Sequence, residues 1–181
     1  MSNIKIKDLE FKKLLTAERI EKKIASLARQ INKDYEGRTP LFLPVLNGSF
    51  MFAADLLKEV TIPCRVSFVK ISSYAGATAS SGQLKTLIGH DESLFDLDII
   101  VVEDIVDSGL TLQKLLEDLR GRGAKSVEAV ALLRKQVARD KSIEVKYVGF
   151  EIDHEFVLGY GLDYDGLGRN LKDIYKQTDD K

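Results

Sequence analysis

Three carboxylates and a Ser-Gly pair stand together in VVEDIVDSGLTLQKLLEDL, residues 101–119. Glu103, Asp104 and Asp107 follow an apolar run at the point where a leucine-rich segment begins. Two full negative charges about 5 Å apart repel by roughly 3 kcal/mol at an effective dielectric near 20. A cluster of three therefore suits a divalent cation, or hydroxyl ligands such as those of a ribose. Ser108, Gly109, Leu110 and Thr111 would present backbone N–H groups at a helix N-terminus, a ready anion site. Gly109 lets the chain approach a phosphate closely, and the Ser108 and Thr111 hydroxyls could add donors. A plain capping turn is the alternative: Asp and Ser are common helix caps, and strand residues alternate faces, so Glu103 and Asp104 need not converge. The pattern is neither a G-x-x-x-x-G-K loop nor a G-x-G-x-x-G turn.

The elements around it must position these groups. DIIVV (98–102) is almost wholly apolar, as a strand covered on both faces should be. Leu112, Leu115, Leu116 and Leu119 follow at helical spacing, and Gly121 or Gly123 stops that helix. Upstream, Thr16 caps a predicted helix running to about Asp34, with Ile20, Ile24, Leu27, Ala28 and Ile31 on one face. LFLPVL (41–46) reads as a buried strand ending at Asn47-Gly48, and residues 49–59 as a helix with Phe50, Ala53, Leu56 and Leu57 inward. VSFVKI (66–71) is a further strand, SSYAGATASSG a loop of small residues, and QLKTLI a returning strand. VEAVALL and YVGFEI supply two more. Strand, helix and strand in alternation predict an α/β fold with a mostly parallel twisted sheet flanked by helices. In such sheets ligands bind beyond the carboxyl ends of the strands, which is where Asp104 to Gly109 should lie.

Bulk composition narrows the function classes. The 181 residues suit one domain, 1–181, with a sizeable core. Lys plus Arg number 27 and Asp plus Glu 28, a near balance that argues against a dedicated nucleic-acid binder. No apolar run approaches the ~18 residues of a membrane-spanning helix, and the start, MSNIKIKDLEFKKLL, lacks the apolar core of a signal peptide. The single cysteine, Cys64, fits a reducing cytoplasm and reads as a small buried side chain.

VVEDIVDSGLT closely resembles the phosphoribosyl-pyrophosphate signature of the type I phosphoribosyltransferases. The resemblance implies that Glu103 and Asp104 bind the ribose hydroxyls with Mg²⁺, and that Ser108, Gly109, Leu110 and Thr111 cradle the 5′-phosphate. Other segments resemble the 6-oxopurine branch of that family, over most of residues 12–175. VLNGSFMFAADLL matches its pyrophosphate loop, which often carries a non-proline cis peptide before the glycine; this chain has Asn47 before Gly48 where the family usually has Lys. Ser73-Tyr74 matches the head of a lid, assigned to residues 72–82, that excludes water from the reaction centre. Phe156 and Val157 match the purine clamp. Asp163 matches an acid that binds a second Mg²⁺, and Arg169 the arginine that holds pyrophosphate. Lys135, placed just after the strand VEAVALL, matches the lysine that donates to a 6-oxo oxygen. Glu155 replaces a basic residue that some relatives carry, and His154 and His90 read as non-catalytic.

The resemblance implies the type I phosphoribosyltransferase fold with a small hood formed by the terminal segments. It implies transfer of a 5-phosphoribosyl group to N9 of hypoxanthine, and of guanine as well, in purine salvage. Asp107 is expected to move the proton at N7. The expected partners are small molecules (5-phosphoribosyl 1-pyrophosphate, hypoxanthine, guanine), with no nucleic acid and no membrane, in a homodimer or homotetramer. Two alternatives stay open: a sensor of phosphoribosyl pyrophosphate that binds nucleic acid, and a xanthine-preferring enzyme.

Overall fold

A computed structural model describes residues 3–71, 93–140 and 144–178. The main sheet is built from β3 (Leu41–Leu46), β4 (Arg65–Val66), β5 (Val69–Lys70), β6 (Asp98–Val106), β7 (Ser126–Lys135) and β8 (Tyr147–Ile152). Its order is β4-β3-β6-β7-β8, with β5 continuing the β4 edge against β3, and every pairing is parallel. Helices α1 (Ala17–Asp34) and α2 (Phe50–Glu59) cover one face, α3 (Leu110–Gly121) the other, and α4 (Gln136–Asp140) follows β7.

The strands read as unbroken apolar runs because alternate residues feed two cores. Phe42, Ile100, Val102, Val130 and Leu132 pack with Ile20, Ile24, Leu27, Ala28 and Ile31 of α1, all buried as expected. Leu41, Leu43, Ile99, Val101, Ala129 and Ala131 pack with Leu112, Leu115, Leu116 and Leu119 of α3. Each fully buried leucine contributes about 1.5–3 kcal/mol, so the four fix α3, and thereby its N-terminal loop, on the sheet.

Within the described residues the predicted order of elements holds, with three corrections. The strand beginning at Asp98 runs on to Val106, because β7 offers it partners as far as Ile105↔Leu133 and Val106↔Arg134. Glu103 and Asp104 are therefore strand residues, and Lys135 is the last residue of β7 instead of lying beyond it. The predicted strand 66–71 is two short pieces, and the break lies opposite Leu43-Pro44, where proline lacks the N–H a continuous ladder needs. In α2, Phe52 takes the buried position expected for Phe50, which is 44 % exposed.

The terminal segments build a second, antiparallel sheet, the hood, from β1 (Ile4–Ile6), β2 (Leu9–Leu15), β9 (Val157–Leu158) and β10 (Ile174–Gln177), in the order β1-β2-β10-β9. Periodicity carries only a faint trace of it, the alternation of Leu9, Phe11 and Leu15. Asp173 moors it: the buried carboxylate accepts from the Ala17 amide at 2.8 Å and pairs with Lys13 at 2.6 Å. Among the described residues no helix is long and apolar enough to cross a membrane.

Candidate active site

The core strand order reverses direction between β3 and β6: the chain passes from β3 to β4 on one side, then returns to add β6, β7 and β8 on the other. At such a switch the connections diverge and leave a crevice outside the strand ends. Asn47-Gly48 leaves β3 there, and Asp107-Ser108-Gly109 leaves β6.

On the β6 side, Glu103 is only 8 % exposed. Burial, and then the neighbouring Asp104, push its carboxyl well above the ordinary value. Asp104 is raised too, by burial first, while the Ile105 amide and the Arg169 cation act to lower it. Asp104 Oδ1 accepts the Ile105 N–H at 2.9 Å. Gly109 adopts φ +76° as the N-cap of α3, and the Leu110 amide reaches Ser108 Oγ at 3.5 Å. Leu110 and Thr111 are exposed in the first turn.

On the β3 side, the Leu46–Asn47 peptide is cis, and Asn47 is exposed. Ser49, wholly buried, donates from Oγ to the Val45 carbonyl at 2.7 Å and closes the turn. Gly48 sits hard against the acidic strand: a Cβ there would lie 1.6 Å from Asp104 Oδ2. The loop after β9 reaches the same place, since a Cβ on Gly161 would lie 2.1 Å from the Gly48 carbonyl oxygen. Arg169 donates to the Gly161 carbonyl at 2.7 Å and pairs with Asp163 at 2.5 Å. Asp163 also accepts the Gly166 amide at 2.7 Å. Residues from three distant stretches thus meet: Gly48, Asp104, and Asp163 with Arg169.

A second grouping joins Asp107 to Lys135, whose Nζ lies 2.9 Å from Asp107 Oδ2. A third surrounds Phe156, 42 % exposed, with its ring centroid 6.1 Å from Phe11 and 5.7 Å edge-on from Tyr164. Its carbonyl accepts from Gln177, and Val157 pairs with Lys176 of β10. Phe11 and Tyr164 are not legible as site residues in the sequence; only their aromatic character, at a strand and at the LDYDG turn, could have flagged them. Glu155 is tied to Lys176. His154 is exposed, and burial pushes the half-buried Cys64 thiol up, in keeping with an unreactive side chain. Ser73, Tyr74, the 72–82 lid, the QLKTLI strand and His90 lie outside the described residues.

The donor set can be tested against a divalent cation. The buried Glu103 and half-buried Asp104, both raised by desolvation, with Asp163 nearby, are hard oxygen ligands short of positive charge. Among the described residues, however, no three acidic or imidazole side chains come together as a ligand cage. That fits Mg²⁺ held by one or two carboxylates and completed by phosphate oxygens and water, instead of a cation caged by protein alone.

Comparison with known proteins gives one consistent picture. The model of the family described as phosphoribosyl transferase domain matches residues 10–165. The chain is 43 % identical over 164 residues to the hypoxanthine-guanine phosphoribosyltransferase of Bacillus subtilis, covering 91 % of each. It is 42 % identical over 167 residues to the enzyme of the same name from Mycobacterium bovis, covering 89 % of this chain and 83 % of that one. The crystal structure of a hypoxanthine-guanine phosphoribosyltransferase from Bacillus anthracis superposes with a TM-score of 0.83 at 38 % identity, covering 91 % of this chain and 97 % of that one. With the signature at the switch point, the parallel sheet and these likenesses in agreement, the chain belongs to the phosphoribosyltransferase family.

Proposed function

We propose that the protein transfers the 5-phosphoribosyl group of 5-phosphoribosyl 1-pyrophosphate to N9 of hypoxanthine and guanine, releasing pyrophosphate, in purine salvage. The observation that carries the assignment is the Lys135–Asp107 pair: it joins the donor loop of β6 to the end of β7, where a 6-oxo oxygen and N7 of one purine would need neighbouring groups.

In the reaction the bond from C1′ to the pyrophosphate oxygen breaks, the bond from N9 to C1′ forms, and the base loses a proton. Asp107 takes that proton at N7, and Lys135 donates to the 6-oxo oxygen. Adenine is disfavoured because its amino group would face the ammonium donor. Phe156 stacks on the base, and Val157 meets its edge through the backbone. Glu103 and Asp104 hold the ribose hydroxyls. The amides from Ser108 to Thr111 hold the 5′-phosphate at the positive end of α3. Arg169, with the backbone at Asn47-Gly48, receives the pyrophosphate, for which a planar guanidinium is well shaped. Glu103 and Asp104 would hold one Mg²⁺ and Asp163 a second, and these ions when bound would supply positive charge to the departing group. Ser73 and Tyr74 are assigned to the lid by resemblance alone.

The protein works on small molecules, with neither nucleic acid nor membrane as partner, as a homodimer or homotetramer in the cytoplasm. The near-balanced charge supports the small-molecule reading over nucleic acid, and the single cysteine supports the cytoplasm. Light scattering tests the assembly. Incubation with donor, Mg²⁺ and each base in turn tests the reaction: IMP from hypoxanthine and GMP from guanine are expected. Product from xanthine alone, or none, would overturn the assignment.

A further inference from the structure

We infer that Tyr160 and Asp55 form a positioning clamp, holding the segment that carries Asp163 and Arg169 against the Gly48 turn; this rests on that turn being the pyrophosphate side of the site. Gly159, Tyr160 and Gly161 take φ of +98°, +52° and +99° in succession. A tyrosine in the left-handed region is uncommon and persists where its surroundings hold it. Here the side chain is the anchor. It is 4 % exposed, and its hydroxyl donates to Asp55 Oδ2 at 2.5 Å.

The bond joins two parts of the site that sequence keeps apart. Asp55 stands on α2, which starts directly after the Gly48-Ser49 turn. On either side of Tyr160 the backbone is already committed: the Tyr160 amide donates to Leu171 O at 2.7 Å and the Gly161 amide to Arg169 O at 2.9 Å. The Gly161 carbonyl in turn accepts from the Arg169 guanidinium. A tilt of the Tyr160 segment would therefore carry Arg169 with it and open the contact of Gly161 on Gly48 O. Ring burial resists large movement, whereas the hydroxyl bond fixes direction, so the two contributions can be separated by mutation. Neither Tyr160 nor Asp55 is assigned contact with substrate.

Tyr160→Phe keeps the ring and removes only the bond; Asp55 stays paired with Lys58 at 2.9 Å and one-third exposed, so it is not left as a stranded buried charge. Calorimetric affinity for pyrophosphate with Mg²⁺, and KM for the phosphoribosyl donor, should each weaken about tenfold in Tyr160→Phe and Asp55→Ala. KM for hypoxanthine should stay within about twofold, and the double variant should be no worse than either single. Asp55→Asn, whose amide oxygen still accepts, should remain near wild type. Equal losses for donor and purine, or a lowered Tm with pyrophosphate affinity intact, would overturn the clamp. A wild-type protein that binds pyrophosphate but makes no nucleotide would sink the functional assignment while leaving the clamp standing.

Discussion

Lys135 Nζ lies 2.9 Å from Asp107 Oδ2, with the lysine side chain 14 % exposed and the carboxylate 65 %. Under the proposed roles, the group that would donate to the base and the group that would accept its proton hold each other, so an entering 6-oxopurine would draw the ammonium from the carboxylate. Asp107→Asn should lower kcat about 10²- to 10⁴-fold while leaving donor affinity within a few-fold, as steady-state kinetics and donor titration would read. Lys135→Ala should raise KM for hypoxanthine; an unaltered base affinity would take Lys135 out of the site.

The contact of Gly48 with Asp104 gives a sharper geometric test. A methyl 1.6 Å from Asp104 Oδ2 has no room, so the carboxylate or the turn must shift. Gly48→Ala should cost about 1–3 kcal/mol of stability and weaken donor binding more than purine binding. Urea unfolding alongside KM for each substrate would show both effects.

Phe156 should account for much of the base affinity. Its ring is partly exposed and packs against Phe11 and Tyr164, so it can offer aromatic surface to a flat ligand from a supported position. Stacking on an aromatic is worth about 1–3 kcal/mol per base. Phe156→Ala should therefore raise KM for hypoxanthine roughly tenfold or more, with the donor KM little changed. Phe156→Tyr should retain most of the affinity.

The buried acids predict how stability varies with pH. Burial raises the folded-state value of Glu103 above the ordinary 4.5. The folded protein then binds a proton that the unfolded chain has released. Its contribution is fully present below the unfolded value and is lost as pH rises from there through the raised folded value, at about 1.4 kcal/mol for each pH unit between the two. Glu103→Gln should remove this loss. Urea midpoints for the variant should exceed wild type near neutrality and vary less across the acid-to-neutral range. Mg²⁺ with pyrophosphate should narrow the gap by stabilising the wild type more, because a ligand that binds only the folded state stabilises it.

Apolar spacing within the sequence was enough to determine the α/β class and the order of its main elements. α1 begins at the Thr16 cap and α3 stops by Gly123, since caps and periodicity are local properties. The run VVEDIVDSGLT pointed to the phosphoribosyltransferase family for the same reason: its signature is contiguous in the chain. Where β6 ends was a tertiary matter, because Ile105 and Val106 extend it by pairing with Leu133 and Arg134 of β7. The hood also needed the fold, as β2 and β10 lie more than a hundred residues apart and neither is stable alone. So did the contacts of Gly48 with Asp104, Lys135 with Asp107 and Tyr160 with Asp55. Each joins groups whose separation in space is set by strand order at the switch point, and strand order is decided by packing two cores on one sheet instead of by any local preference of the chain.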